Sequence, residues 1–332
     1  MDDRHSEVFR QYDLKVYNMY RARGAFLIET NQGLKLFKSF EGSKNHLIYE
    51  NRIKEVLIQR GFKNVDLVIC NKAGDYISED SMGVSYIIKN WFVGEECNLK
   101  DLADVYHASS NLAELHNAME GIQVPEEEQS YISQYALPEV FEKHNRELKR
   151  VRSYIRDKKQ RNEFELNFLL TFDAFYEEAL KATELVTNSC YQKVMQESIA
   201  LNKNCHGNYT YHNLLKLKEG MATTNFEKAC VGVQIVDMYQ FLRKCMEKND
   251  WNKEFGQSII DGYNAVRTMT KEEYEILYIL LLYPEKFWKV TNFYFNNKKS
   301  WISKRNIQKL MSLHQQSPLK TAFLTEMFSD MF

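Results

Sequence analysis

The feature that most constrains this chain is a single change of hydrophobic period near Leu99. Before it, apolar residues alternate in short runs. After it, they recur every three or four residues. Alternation builds strands with one buried face, and three-and-four spacing builds amphipathic helices. Residues 14–20, 25–30 and 34–40 read as strands, with Asn31-Gln32-Gly33 as a tight turn between the last two. In the third strand Leu34, Leu36, Lys38 and Phe40 share one face, so a lysine sits among apolar residues. A helix is expected over 44–60, closed by Gly61. Glu50 falls inside the apolar stripe of Leu47, Ile53 and Leu57. A carboxylate on a buried face needs a cation, and Lys38 is the expected partner. Residues 65–70 and 84–91 complete the strand set.

Beyond Leu99, the residues Leu102, Val105, Ser109, Leu112, His116 and Met119 keep helical spacing. Further helices are expected over 137–157, 161–185 and 191–200, and again from Val233 to the end. Between them, residues 205–213 form a polar, aromatic loop, and 214–217 with 221–224 read as a hairpin around Lys218-Glu219-Gly220. The late aromatic residues Trp288, Phe293, Tyr294, Phe295 and Trp301 read as core.

Composition excludes several classes. Thirteen glycines and four prolines in 332 residues are too few for a β-sandwich or a low-complexity chain. A net charge of −1 creates no field that would gather nucleic acid or acidic lipid. The longest apolar run, 276–283, is far short of a membrane span. The first residues are polar and lack a signal-peptide core, so synthesis and retention in a cytoplasm are expected. The six cysteines (70, 97, 190, 205, 230 and 245) contain no CxxC pair and read as reduced thiols. Cys205, His206 and His212 fit no zinc spacing and read as loop bracing.

The parts fall in the order of a phosphotransferase: strand lysine, helix glutamate, short connection, helical region, polar loop ending in Asn, then a hairpin with an acidic far side. Residues His206-Gly207-Asn208-Tyr209-Thr210-Tyr211-His212-Asn213 resemble the H-G-D-x-x-x-x-N loop of aminoglycoside and choline kinase-like enzymes. Asn225-Phe226-Glu227 resembles their D-F-D element. From residue 12 to about 310 the chain resembles the CotS-type spore coat proteins. The resemblance rests on Arg23-Gly24-Ala25-Phe26, Gly94-Glu95-Glu96-Cys97, Leu112-Ala113-Glu114-Leu115-His116 and Tyr209-Thr210-Tyr211-His212-Asn213. Tyr283-Pro284-Glu285-Lys286-Phe287-Trp288-Lys289 adds to it.

That resemblance implies an α+β, two-lobed, protein-kinase-like fold. A small N-terminal antiparallel β lobe with one helix would span 1–93, with a hinge at about 89–93. A large, mostly helical C-terminal lobe would span 94–332. It places His206, Asn208 and Asn213 at the catalytic loop, and Lys38, Glu50, Asn225 and Glu227 at nucleotide and metal positions. Asp237 would hydrogen-bond the loop backbone. Two departures stand out: Asn208 replaces the catalytic Asp, and Asn225 replaces the metal-binding Asp. An amide has no basic lone pair near neutral pH and is a weak ligand for a hard cation. The implied function is therefore a degenerate kinase-like coat component without phosphoryl transfer. A nucleotide-binding module and an unorthodox small-molecule phosphotransferase stand as alternatives. No metal site is assigned, and ATP with Mg²⁺ is expected only if the cleft is open. Partners would be other spore coat proteins, with no nucleic acid and no membrane insertion, and the oligomeric state stays open. The protein would be made in the mother-cell cytoplasm and deposited in the spore coat.

Overall fold

Short alternating segments with few residues between them pair most simply as an antiparallel meander. The computed structural model describes residues 3–123, 136–296 and 304–329. A short helix α1 (Asp3–Phe9) precedes strands β1 (Val16–Ala22), β2 (Ala25–Thr30) and β3 (Gly33–Ser39). Helix α2 (Lys44–Gln59) follows, then β4 (Ser78–Glu79) and β5 (Ser85–Asn90). The five strands form one antiparallel sheet in the order β1-β2-β3-β5-β4. Leu36 pairs with Leu27 on one side and Lys89 on the other, and Lys38 pairs with Ile87. One sheet face thus carries Leu27, Leu36, Lys38, Ile87 and Lys89. Helix α2 packs on this face, where Leu47, Val68 and Ile87 are buried together. On the opposite face, α1 and the turn after it bury Val8, Phe9 and Tyr12 against Ile28, Phe37 and Ile88. The polar N-terminal sequence gave no sign of this second helix.

Residues 65–70, expected as a strand, make only isolated bridges, Val65 to Thr223 and Val68 to Lys89. Around the second bridge the segment does bond to β5: Ile69 N–H donates to the Ile88 carbonyl at 2.9 Å, and Asn90 N–H donates to the Leu67 carbonyl at 2.8 Å. On the segment's other edge Asn51 Oδ1 accepts the Val68 N–H at 2.8 Å, so a side chain stands where a further strand would pair.

The helical part starts after β6 (Glu95–Glu96), with α3 (Leu102–Met119), α4 (Leu137–Asp157), α5 (Glu163–Asn188) and α6 (Tyr191–Ala200). A small β region follows: β7 (Asn204–Cys205), β8 (Leu214–Lys216), β9 (Met221–Thr223) and β10 (Cys230–Val231). Then come α7 (Ile235–Lys248), α8 (Lys253–Asn264), α9 (Lys271–Leu282), α10 (Glu285–Asn296) and α11 (Lys304–Met327). Helices α3 and α8 approach closely at Gly262, where a Cβ would lie 2.4 Å from the Tyr106 carbonyl. The main core runs through α3, α7, α8 and α9. A second core packs Phe164, Phe168, Phe172 and Phe175 of α5 against Phe287. Trp288, Tyr294 and Phe295 border it, but Phe293, read as core, is exposed because it lies on the other side of α10, and Trp301 lies outside the described residues.

Candidate functional site

The loop between β7 and β8 is held from below. Asp237, in the first turn of α7, accepts the His206 N–H at Oδ2 (2.6 Å) and the Gly207 N–H at Oδ1 (2.8 Å). Gly207 is required there twice over. Its φ is +75°, and a Cβ would meet the Lys228 carbonyl at 2.0 Å. Asp237 is itself positioned by a buried chain. Arg267 donates to the Tyr263 hydroxyl, which lies 2.8 Å from His116 Nδ1, and His116 Nε2 lies 3.3 Å from Asp237 Oδ2. Arginine only donates, so the Tyr263 proton goes to Nδ1 and the Nε2–H of His116 points at Asp237. Burial depresses the His116 pKa more than Asp237 raises it, which keeps the ring neutral in that tautomer.

His206 is fully buried and spans the loop. Its Nδ1 accepts the Asn208 N–H (3.2 Å), so its Nε2–H donates to the Thr224 carbonyl (3.0 Å). Asn213 Nδ2 donates to the Asn208 carbonyl at 2.8 Å and closes the turn. The Asn208 side chain is partly exposed and offers an amide. On the far side of the β8–β9 hairpin, Asn225 takes a left-handed φ of 66°, and its N–H donates to Asp66 Oδ2 at 2.9 Å. Its amide lies 3.3 Å from Asn213 Oδ1 and 3.3 Å from both oxygens of Glu227.

The expected Lys38–Glu50 pair does not form. Lys38 Nζ lies 2.5 Å from Glu227 Oε1, across the cleft. Glu50 is instead held by Lys54, one helical turn away, and by Lys89 at 2.8 Å. Asp66 completes the buried group, with Lys54 2.9 Å from Oδ1 and Lys89 3.3 Å from Oδ2. The side chains of Glu50, Lys54, Asp66 and Lys89 are at most 1% exposed. Register explains the exchange. Lys89 lies opposite Leu36 on the face that α2 covers, and two buried cations already satisfy Glu50. Lys38, 26% exposed on the same face, is left within reach of Glu227. Burial alone would raise the Glu50 pKa. The Lys54 and Lys89 charges and their hydrogen bonds outweigh it and bring the value to about 2.

Lys54, Asp66 and Lys89 were not singled out from the sequence. The available signal was the one that marked Lys38, a charged residue within an apolar strand or helix face.

Two further contacts brace the loop at His212, one from the β1–β2 turn and one from β6. Arg23 Nη1 lies 3.2 Å and 3.3 Å from the two ring nitrogens of His212, and His212 Nδ1 lies 3.0 Å from Glu96. His206 and His212 are thus loop braces. Among the described residues no group of three or more His, Cys, Asp or Glu side chains is arranged to hold a metal ion.

The chain is similar over nearly its whole length to solved phosphotransferase structures. An aminoglycoside phosphotransferase from Alicyclobacillus acidocaldarius superposes with a TM-score of 0.87 at 16% identity, covering 98% of this chain and 96% of that one. Spectinomycin phosphotransferase APH(9)-Ia, solved with ADP and spectinomycin, gives a TM-score of 0.67 at 12% identity, covering 95% and 96%. The amicoumacin kinase hAmiN, solved with AMP-PNP, Ca²⁺ and its substrate, gives 0.63 at 11% identity, covering 97% and 94%. These likenesses establish the kinase-like fold. In sequence, spore coat protein S of Bacillus subtilis (strain 168) is 21% identical over 306 residues, covering 90% of this chain and 85% of that protein. Residues 5–327 match the family described as "Spore coat putative kinase YutH", and the chain belongs to that spore coat family.

Proposed function

We propose that this protein is a component of the spore coat that keeps a kinase-like frame and performs no phosphoryl transfer. The observation that carries this reading is the Lys38–Glu227 ion pair beside Asn225, at the residues that the resemblance assigns to a nucleotide's metal. A hard divalent cation needs several anionic oxygens. The donor set here is two amides, Asn213 and Asn225, and one carboxylate that already holds an ammonium group. These residues do not fit Mg²⁺. Asn208 likewise has no basic site to accept a substrate proton. The three cations Lys38, Lys54 and Lys89 are matched by the three carboxylates Glu50, Asp66 and Glu227, so the charged groups satisfy one another without a ligand. On this reading the lobes divide at 89–93, and the outer surface makes the contacts with other coat proteins.

A second reading, a nucleotide-binding module, is favoured by one feature. Leu27 and Leu36 are paired across β2 and β3, half-buried on the Lys38 face, where a base could lie beneath them. A thermal-shift titration with ATP, with and without Mg²⁺, separates the two. The scaffold reading expects no shift and no transfer of the γ-phosphate to water or to added aminoglycosides. A Mg²⁺-dependent turnover lost in Asn208→Ala would overturn it.

A further inference from the structure

Cys205 and Cys230 face each other in the β7–β10 pair, the first residue of one strand bridge against the other. Antiparallel partners place their Cα atoms about 4.5 or about 5.5 Å apart, according to the kind of pair. Both values lie within the range of about 4.4–6.8 Å found for disulfides. Cys205 is buried, while Cys230 is partly exposed. The other buried thiols, Cys97 and Cys245, lie in the core and have no exposed partner opposite them in a strand pair.

We propose that Cys205 and Cys230 form an oxidation site that closes to an intramolecular disulfide. Small-molecule disulfides are the oxidant class. The Cys230 thiolate attacks one sulfur of the reagent and releases its other half as a thiolate. Cys205 then loses its proton and attacks the Cys230 sulfur of the mixed disulfide, releasing the second half. Two electrons pass from the protein sulfurs to the reagent, and the two protons leave with its two thiols. The neighbouring Cys230 thiol and then burial raise the Cys205 pKa, so the second step is the slow one.

The position gives the bond a consequence. Cys205 immediately precedes His206, which Asp237 anchors, and Cys230 lies two residues after Lys228, whose carbonyl lies against Gly207. The disulfide would therefore tie the loop carrying Asn208 to the segment carrying Asn225. The bridge closes a long stretch of chain, so it should also restrict the unfolded state and raise the melting temperature.

The test uses the full-length protein incubated with oxidised glutathione, quenched with an alkylating agent and mapped by mass spectrometry. The expected product is a crosslink between the Cys205 and Cys230 peptides, with both protected from alkylation, a higher melting temperature and slower amide exchange over 206–208. Cys230→Ser changes a partly exposed residue, so it should fold and lose the crosslink. A lasting glutathione adduct on Cys230, or two alkylated thiols after prolonged incubation, would overturn the proposal. So would a crosslink through any other cysteine.

Discussion

Asp237 uses both carboxylate oxygens on the backbone of one loop, and a buried histidine supports it from behind. Hydrogen bonds to a charged group contribute about 1.5–3 kcal/mol each. Asp237→Ala removes two of them and leaves the buried His206 N–H and the partly buried Gly207 N–H without that acceptor, so the melting temperature should fall by many degrees. An unchanged denaturant midpoint would show that the loop is held by other means. The same reasoning at Glu50 gives a comparison rather than a single value. Lys89→Met leaves a buried carboxylate with one cation fewer and should destabilise by about 3–5 kcal/mol. Lys38→Met removes a partly exposed pair and should change stability by no more than about 1 kcal/mol. Urea unfolding of both variants checks the order, and equal losses would restore Lys38 as the principal partner. Glu50 also fixes a pH dependence. Its folded pKa of about 2 lies below the ordinary 4.5, so its contribution is complete above the higher value. That contribution is lost as pH falls from about 4.5 to about 2, and Glu50→Gln should flatten the stability curve in that window.

At the scale of elements, the outer sheet face depends on α1. Phe9 is 7% exposed and its ring lies 4.8 Å from that of Phe37, centroid to centroid. Phe9→Ala should cost about 3–5 kcal/mol, the usual loss for a buried phenylalanine, read as a shift in the urea midpoint. A negligible loss would mean that α1 docks weakly. Segment 65–70 shows how one side chain can close the outer edge of a segment that bonds to β5 on its other side. Its apolar residues suit a strand, and the Asn51 amide takes the Val68 N–H that a neighbouring strand would have used. The hairpin β8–β9 and helix α2 followed their local signals closely, because turn residues, caps and periodicity act over a few residues.

At the scale of the whole molecule, the two amides define the functional test. If Asn208 and Asn225 alone separate this frame from an active one, Asn208→Asp with Asn225→Asp should gain Mg²⁺-dependent stabilisation by ATP. A ligand at one hundred times its Kd adds about 2.7 kcal/mol. No gain would place the block in the Lys38–Glu227 pair, and adding Lys38→Ala would test that directly. Strands β1, β2, β3 and β5, helices α2 to α6, the β8–β9 hairpin and the buried character of Glu50 were legible in the sequence, whereas α1 and the short strands β4, β6, β7 and β10 were not. The legible features depend on residue type and spacing, which the chain displays directly. The partner of Glu50 was not legible. Lys38 and Lys89 both lie on one strand face, and local pattern ranks them equally. Only the pairing of β3 with β5 and the docking of α2 bring Lys89 against Glu50 and turn Lys38 toward Glu227. Charge pairing acts over a few ångströms, so residues 39 positions apart in the chain become partners only when the tertiary fold sets that distance.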